Sequence, residues 1–128
     1  MFFVLKELFV TLLLSLFVGN NFYDTIGLMK ELDIKTKEKI INIVHALVAD
    51  ADIYLFGSRA TGQHHAHSDI DLALDAGKKL DRLVVGEVKD LLSASNIPYK
   101  FDVVDVHNVG DDLKIDIMKE GILWAKRK

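Results

Sequence analysis

The chain has 128 residues, enough for one domain with a single buried core and too few for a separate substrate-binding domain. A formal charge of −3 and a pI near 5.9 argue against a general nucleic-acid binder, so no stable nucleic-acid complex is expected. No cysteine is present, which excludes disulfides, thiolate metal sites and cysteine nucleophiles and suits a reducing cytoplasm.

The N-terminal stretch MFFVLKELFVTLLLSLFVGNNFYD raises the mean hydropathy above that of the rest of the chain. Its apolar run from Leu8 to Val18 contains Thr11 and Ser15 and is short for a membrane span, which needs roughly 20 apolar residues. As a signal peptide it is poorly formed, because Lys6 is followed at once by Glu7 and no pair of small residues precedes a cleavage point near Gly19. The favoured reading is that Met29 is the true start, which makes residues 1–28 an extension of a domain at 29–128. A signal or anchor, or an apolar helix packed on the domain or a partner, are the alternatives, and membrane attachment is expected only if the extension is real.

Beyond it the elements are compact. Thr36 is placed to cap a helix whose apolar positions Ile40, Ile41, Ile43, Val44, Leu47 and Val48 recur at helical spacing. Ile53–Phe56 reads as a strand ending at Gly57-Ser58, and a polar spacer of ten residues, Arg59 to Ser68, leads to a second strand from Asp69 to Leu74. Ala76-Gly77 breaks that strand. A helix follows from about Leu80 to Ala94, closed by Asn96-Ile97-Pro98, and Tyr99–Val106 reads as a third strand. His107–Gly110 is a turn, Asp111 is placed to cap a last helix through Lys119, and Gly121–Trp124 adds a short edge strand. The order α-β-β-α-β-α predicts an α/β fold, a small mixed sheet packed against helices.

The chemistry lies between Tyr54 and Asp75. On a strand, Asp69 and Asp71 project from one face while Ile70 and Leu72 project from the other. Two neighbouring carboxylates raise each other's pKa unless a cation neutralises them, and an oxygen-loving divalent ion such as Mg²⁺ does so. Gly57 permits close backbone approach, and the free N–H groups of a turn opening there, with the Ser58 hydroxyl, suit phosphate oxygens. Phosphate grip and metal grip together describe a nucleoside triphosphate site. Asp102, on the third strand, is expected to face the same side as Asp69 and Asp71. Three such acids suit a pair of divalent ions about 4 Å apart, one steadying the triphosphate and the other activating an attacking hydroxyl. Asp105 falls on the opposite face of a regular strand. Arg59 is read as an exposed side chain within reach of phosphate, and Ser68 as a residue ordering the loop. His64, His65 and His67 are read as a solvated loop in preference to a transition-metal site, Trp124 as core or interface in preference to a base-stacking platform, and Lys126-Arg127-Lys128 as a solvated end in preference to a phosphate or RNA contact.

The motif GSRATGQHHAHSDIDL, with the later acid in FDVVD, resembles the signature of the DNA polymerase beta-type nucleotidyltransferase superfamily: Gly-Ser, ten residues, Asp-x-Asp, then a third acid on another strand. From Met29 to Trp124, about three quarters of the chain, it is similar to the minimal nucleotidyltransferases, the MNT family. The resemblance implies a polymerase beta palm-like fold, with Gly57, Ser58 and Arg59 on the nucleotide and Asp69, Asp71 and Asp102 as catalytic metal ligands. It further implies ATP as substrate, Mg²⁺ as cofactor, and a HEPN-domain ribonuclease toxin as partner and acceptor. The chain would then be an antitoxin that transfers AMP to a hydroxyl, in some relatives a tyrosine. A transferase acting on a small molecule and an antitoxin that masks its partner without chemistry are the competing readings. Residues 1–28 lie outside the family pattern.

Overall fold

The computed structural model describes residues 33–64 and 68–128, within the compact unit Leu32–Lys128. The expectations for residues 1–28, for His65 and for His67 lie outside the described residues. Described in chain order are helix α1 (Ile34–Leu47), strand β1 (Asp52–Phe56), the single-turn helix α2 (Ser58–Thr61), β2 (Ile70–Asp75), α3 (Arg82–Ala94) and β3 (Phe101–Asp105). A 3-10 turn at Val106–Asn108, helix α4 (Asp111–Glu120) and β4 (Ile122–Ala125) complete the series. Among the described residues no helix is long and apolar enough to cross a membrane.

Two caps differ from the sequence expectation. α1 begins before Thr36 because Asp33 is its cap: one carboxylate oxygen accepts from the Thr36 N–H at 2.9 Å and the other from the Thr36 hydroxyl at 3.1 Å. At α4 the cap is Gly110, and Asp111 and Asp112 occupy the first turn, where negative charge complements the helix dipole. α3 is capped by the Asp81 carboxylate, which accepts from the Leu83 N–H.

The strands order as β3-β2-β1-β4, with β2 and β3 parallel and the other pairs antiparallel. Parallel neighbours cannot be joined by a tight turn, and α3 supplies the crossover between β2 and β3. Strand alternation then gives the two faces different tasks. Ile53, Leu55, Ile70, Leu72, Leu74, Phe101 and Val103 form one buried face under α1 and α3, which contribute Ile40, Val44, Val88 and Leu92. Fully burying each large aliphatic side chain contributes about 1.5–3 kcal/mol, so this layer dominates the stability of the unit. Among the described residues the opposite face is covered in part, by a smaller cluster in which Ile117 of α4 meets Ala73 and Val106.

Polar ties lock the layers. The His45 ring is buried, and its Nε2–H donates to the Ala51 carbonyl at 3.0 Å, joining the end of α1 to the start of β1. Asp105 faces the helix-covered side, as strand parity predicts, and accepts from the N–H groups of Leu80 at 2.7 Å and His107 at 3.0 Å. Trp124 packs against the core with the Lys37 ammonium 5.6 Å from its ring centre. The C-terminal end is not the free tail expected. The Arg127 N–H donates to the Asp52 carboxylate at 2.7 Å, its guanidinium pairs with the same group, and the Lys128 N–H donates to the Ala49 carbonyl.

Candidate active site

β1 delivers the glycine-serine corner, and the backbone there explains the glycine. Gly57 has φ 75° and ψ −153°, a region that side chains other than hydrogen essentially do not enter. A Cβ at this position would also overlap the Asp71 Oδ2 atom. Gly57 therefore lets the Asp71 carboxylate lie directly against the chain at the corner. Its carbonyl accepts from the N–H groups of Ala60 and Thr61, closing the one-turn helix that Ser58 begins. Gly57, and not Ser58, holds the cap position; the Ser58 side chain is half-buried at the first helical position. By helix geometry the N–H groups of a first turn point out of its N-terminal end, a polarity that suits an anion.

Asp69 immediately precedes β2 and Asp71 lies within it, one residue of strand apart on the same side. Asp102 of β3 is the register partner of Asp71 across the parallel ladder, which puts both on the open face of the sheet. Asp69, Asp71 and Asp102 line one open cleft of about 530 Å³ together with Lys89, Ser93, Tyr99, Lys100 and Phe101. Burial first, then the charges of Asp102 and Asp69, push the Asp71 carboxyl above the usual carboxylate range, while Arg59 opposes the shift. The donor set is entirely carboxylate oxygen with net repulsion at its centre, which is what a hard divalent cation relieves. Among the described residues the side chains do not already close into a coordination shell. The Lys89 ammonium stands 3.9 Å from Asp102 Oδ1 and is the counter-charge on that side.

The remaining site expectations fare unevenly. Arg59 is 2% exposed, not a solvent-facing arm. Its Nε and Nη2 donate to the Ser68 carbonyl at 3.1 and 2.9 Å, and its guanidinium lies 4.8 Å from the Tyr99 ring centre. Ser68 orders the loop as expected, through its backbone oxygen. Lys89, Tyr99 and Lys100 were not anticipated, since their places in the cleft depend on how α3 and the 95–100 connection pack against β3.

The raised pKa of Asp71 has a consequence for stability. The folded state holds its proton more tightly than the unfolded chain, so ionising Asp71 costs stability as pH rises from the ordinary carboxylate pKa through the raised one, and in full above it. Asp71→Asn is therefore expected to raise the Tm of the metal-free protein at pH 7, with the gain vanishing below pH about 3.8. Thermal melts of both proteins in EDTA across that range check this; a lowered Tm at pH 7 would contradict it.

The model of the family described as "Polymerase beta, Nucleotidyltransferase" matches residues 38–128. A Haemophilus influenzae protein named "Probable protein adenylyltransferase MntA" is 35% identical over 100 residues, covering 77% of this chain and 88% of that protein. Among solved structures, a toxin-antitoxin crystal structure with AMP-PNP aligns with TM-score 0.62 and 31% identity, over 70% of this chain and 73% of the other. The complex of the tri-AMPylated Shewanella oneidensis HEPN toxin with MNT antitoxin aligns with TM-score 0.57 and 27% identity, over 70% of this chain and 69% of the other.

Proposed function

We propose, because this chain belongs to the polymerase beta nucleotidyltransferase family, that it is a protein adenylyltransferase acting on a HEPN-domain toxin and thereby the antitoxin of a toxin-antitoxin pair. The observation that carries the chemistry is the convergence of Asp69, Asp71 and Asp102 on one cleft beside a glycine corner. The partner reading rests on the similarity to a named adenylyltransferase and to solved toxin-antitoxin complexes, one holding AMP-PNP and one an AMPylated toxin. The catalytic domain is assigned to residues 29–128.

In this reading ATP is the substrate, and its triphosphate lies against Gly57, where the missing side chain allows close approach. The Ser58 hydroxyl and the leading N–H groups of α2 donate to phosphate oxygens. Asp69, Asp71 and Asp102 would hold Mg²⁺, in all about two ions, which when bound neutralise the charge gathering on the phosphates. The acceptor oxygen, from a tyrosine hydroxyl of the partner, attacks the α-phosphorus while the bond to the β-phosphate oxygen breaks. AMP becomes esterified to the tyrosine and pyrophosphate leaves. Asp102 stands on the attack side and orients the hydroxyl, whose proton it accepts. The cleft is open, so the partner itself supplies the wall that encloses the acceptor.

Incubation of the purified chain with its HEPN partner and ATP labelled on the α-phosphate is expected to place label on a partner tyrosine, located by mass spectrometry, and to silence the partner's ribonuclease. Silencing without label would favour masking by binding alone. Label confined to a small-molecule acceptor would favour the small-molecule transferase.

A further inference from the structure

We infer that Arg59 is a positioning residue, whose buried guanidinium clamps the loop entering Asp69 to the segment entering β3, so that the three acids are presented together. A charged side chain is seldom taken almost wholly out of water unless its partners compensate, and Arg59 is 2% exposed. Those partners come from both sides of the site. Two of its nitrogens converge on the carbonyl of Ser68, the residue before Asp69, at 3.1 and 2.9 Å. That fixes the peptide from which the first acid departs. The guanidinium carbon also lies over Tyr99, 4.8 Å from the ring centre, two residues before β3 and three before Asp102. The backbone completes the clamp, since the Ile70 N–H donates to the Lys100 carbonyl at 2.8 Å between these segments. Arg59 itself follows Gly57-Ser58 in the one-turn helix, so one side chain ties together the three segments carrying the corner, the acid pair and the third acid.

A guanidinium serves this purpose where an ammonium does not. Its planar fork reaches one oxygen with two N–H groups while its face stacks on an aromatic ring. Lysine keeps the charge and loses both geometries.

The inference rests on the reading of Asp69, Asp71 and Asp102 as metal ligands, and the experiment separates the two. Mn²⁺ binding to the full chain, read by the loss of free-ion EPR signal, is compared for wild type, Arg59→Lys, Tyr99→Leu, Tyr99→Phe and Asp69→Asn/Asp71→Asn, with the Tm of each recorded. Arg59→Lys is expected to weaken Mn²⁺ binding about tenfold, the lower range for groups that orient metal ligands, and to lower kcat for AMP transfer with little change in KM for ATP. Wild-type Mn²⁺ affinity in folded Arg59→Lys overturns the inference. So does a raised KM with unchanged kcat and Mn²⁺ binding, the mark of a direct phosphate ligand. If Arg59→Lys does not fold, the Tyr99 pair decides. Tyr99→Leu is expected to weaken Mn²⁺ binding and Tyr99→Phe, which keeps the ring, to restore it; a folded Tyr99→Leu with wild-type affinity overturns the inference. Undiminished Mn²⁺ binding by Asp69→Asn/Asp71→Asn overturns the metal reading itself, whereas its loss there with none in the Arg59 and Tyr99 variants removes only the positioning role.

Discussion

A chain carrying Asp69→Asn and Asp71→Asn is expected to transfer AMP to its partner at least about a thousandfold more slowly than the wild type, since metal charge stabilisation contributes several kcal/mol to such a transition state. The carboxylates are neighbours on one strand side, and Asp71 lies where burial and two other acids already crowd it. Asparagine keeps the shape and removes the charge that would retain a cation. Asp102→Asn is expected to act differently: the nucleotide still has the glycine corner and the acid pair, so the loss falls on kcat and little on KM for ATP. Initial rates of label transfer from α-phosphate-labelled ATP measure both. Because none of these acids supports the apolar layer, Tm should not fall; substantial transfer by the double variant would remove the acids from the mechanism.

Gly57→Ala is expected to cost the fold on the order of 1–3 kcal/mol and to lower transfer at least about a hundredfold, through two separate effects. The first is local, because φ 75° with ψ −153° strains any residue that carries a Cβ. The second is steric and falls on the site, because the new methyl overlaps the Asp71 carboxylate and displaces it. Gly62→Ala separates them. Gly62 also has a positive φ, 76°, yet among the described residues nothing lies within 4 Å of an added Cβ, so that variant is expected to lose about 1–2 kcal/mol and keep its transferase rate. Denaturant melts and label transfer on the two alanine variants make the comparison; similar activity in both would show that the contact between Gly57 and Asp71 is dispensable.

The strands and their acids were legible in the sequence because parity is a local property. Ile70 and Leu72 must be buried, so Asp69 and Asp71 must face away from them; the same argument turned Asp105 toward the helices and Asp102 toward the cleft. What local pattern does not carry is the identity of distant partners. Arg59 reads as one more polar residue of a loop, and nothing near it in sequence reveals that Tyr99 will lie under its guanidinium. Lys89 is one of several charged positions along α3, and only the crossover from β2 to β3 brings it to Asp102. Arg127 looked like a loose end because Asp52 lies far back in the chain. The capping error was of another kind: Asp33 and Thr36 both carry capping side chains, and the first apolar position gave no reason to prefer the earlier one. Asp33 takes the cap by accepting from both the Thr36 N–H and hydroxyl.

Because Asp71 and Asp102 occupy one rung of a parallel ladder, the 95–100 connection bears on the site through the phase it sets for β3 as well as through Tyr99. Substitutions in that connection leave the phase of β3 intact. A residue gained or lost there and carried into the strand turns Asp102 into the oily layer and sets Phe101 or Val103 in its place. A slip of one residue in that phase would empty the third acid's place without altering any acid in the sequence.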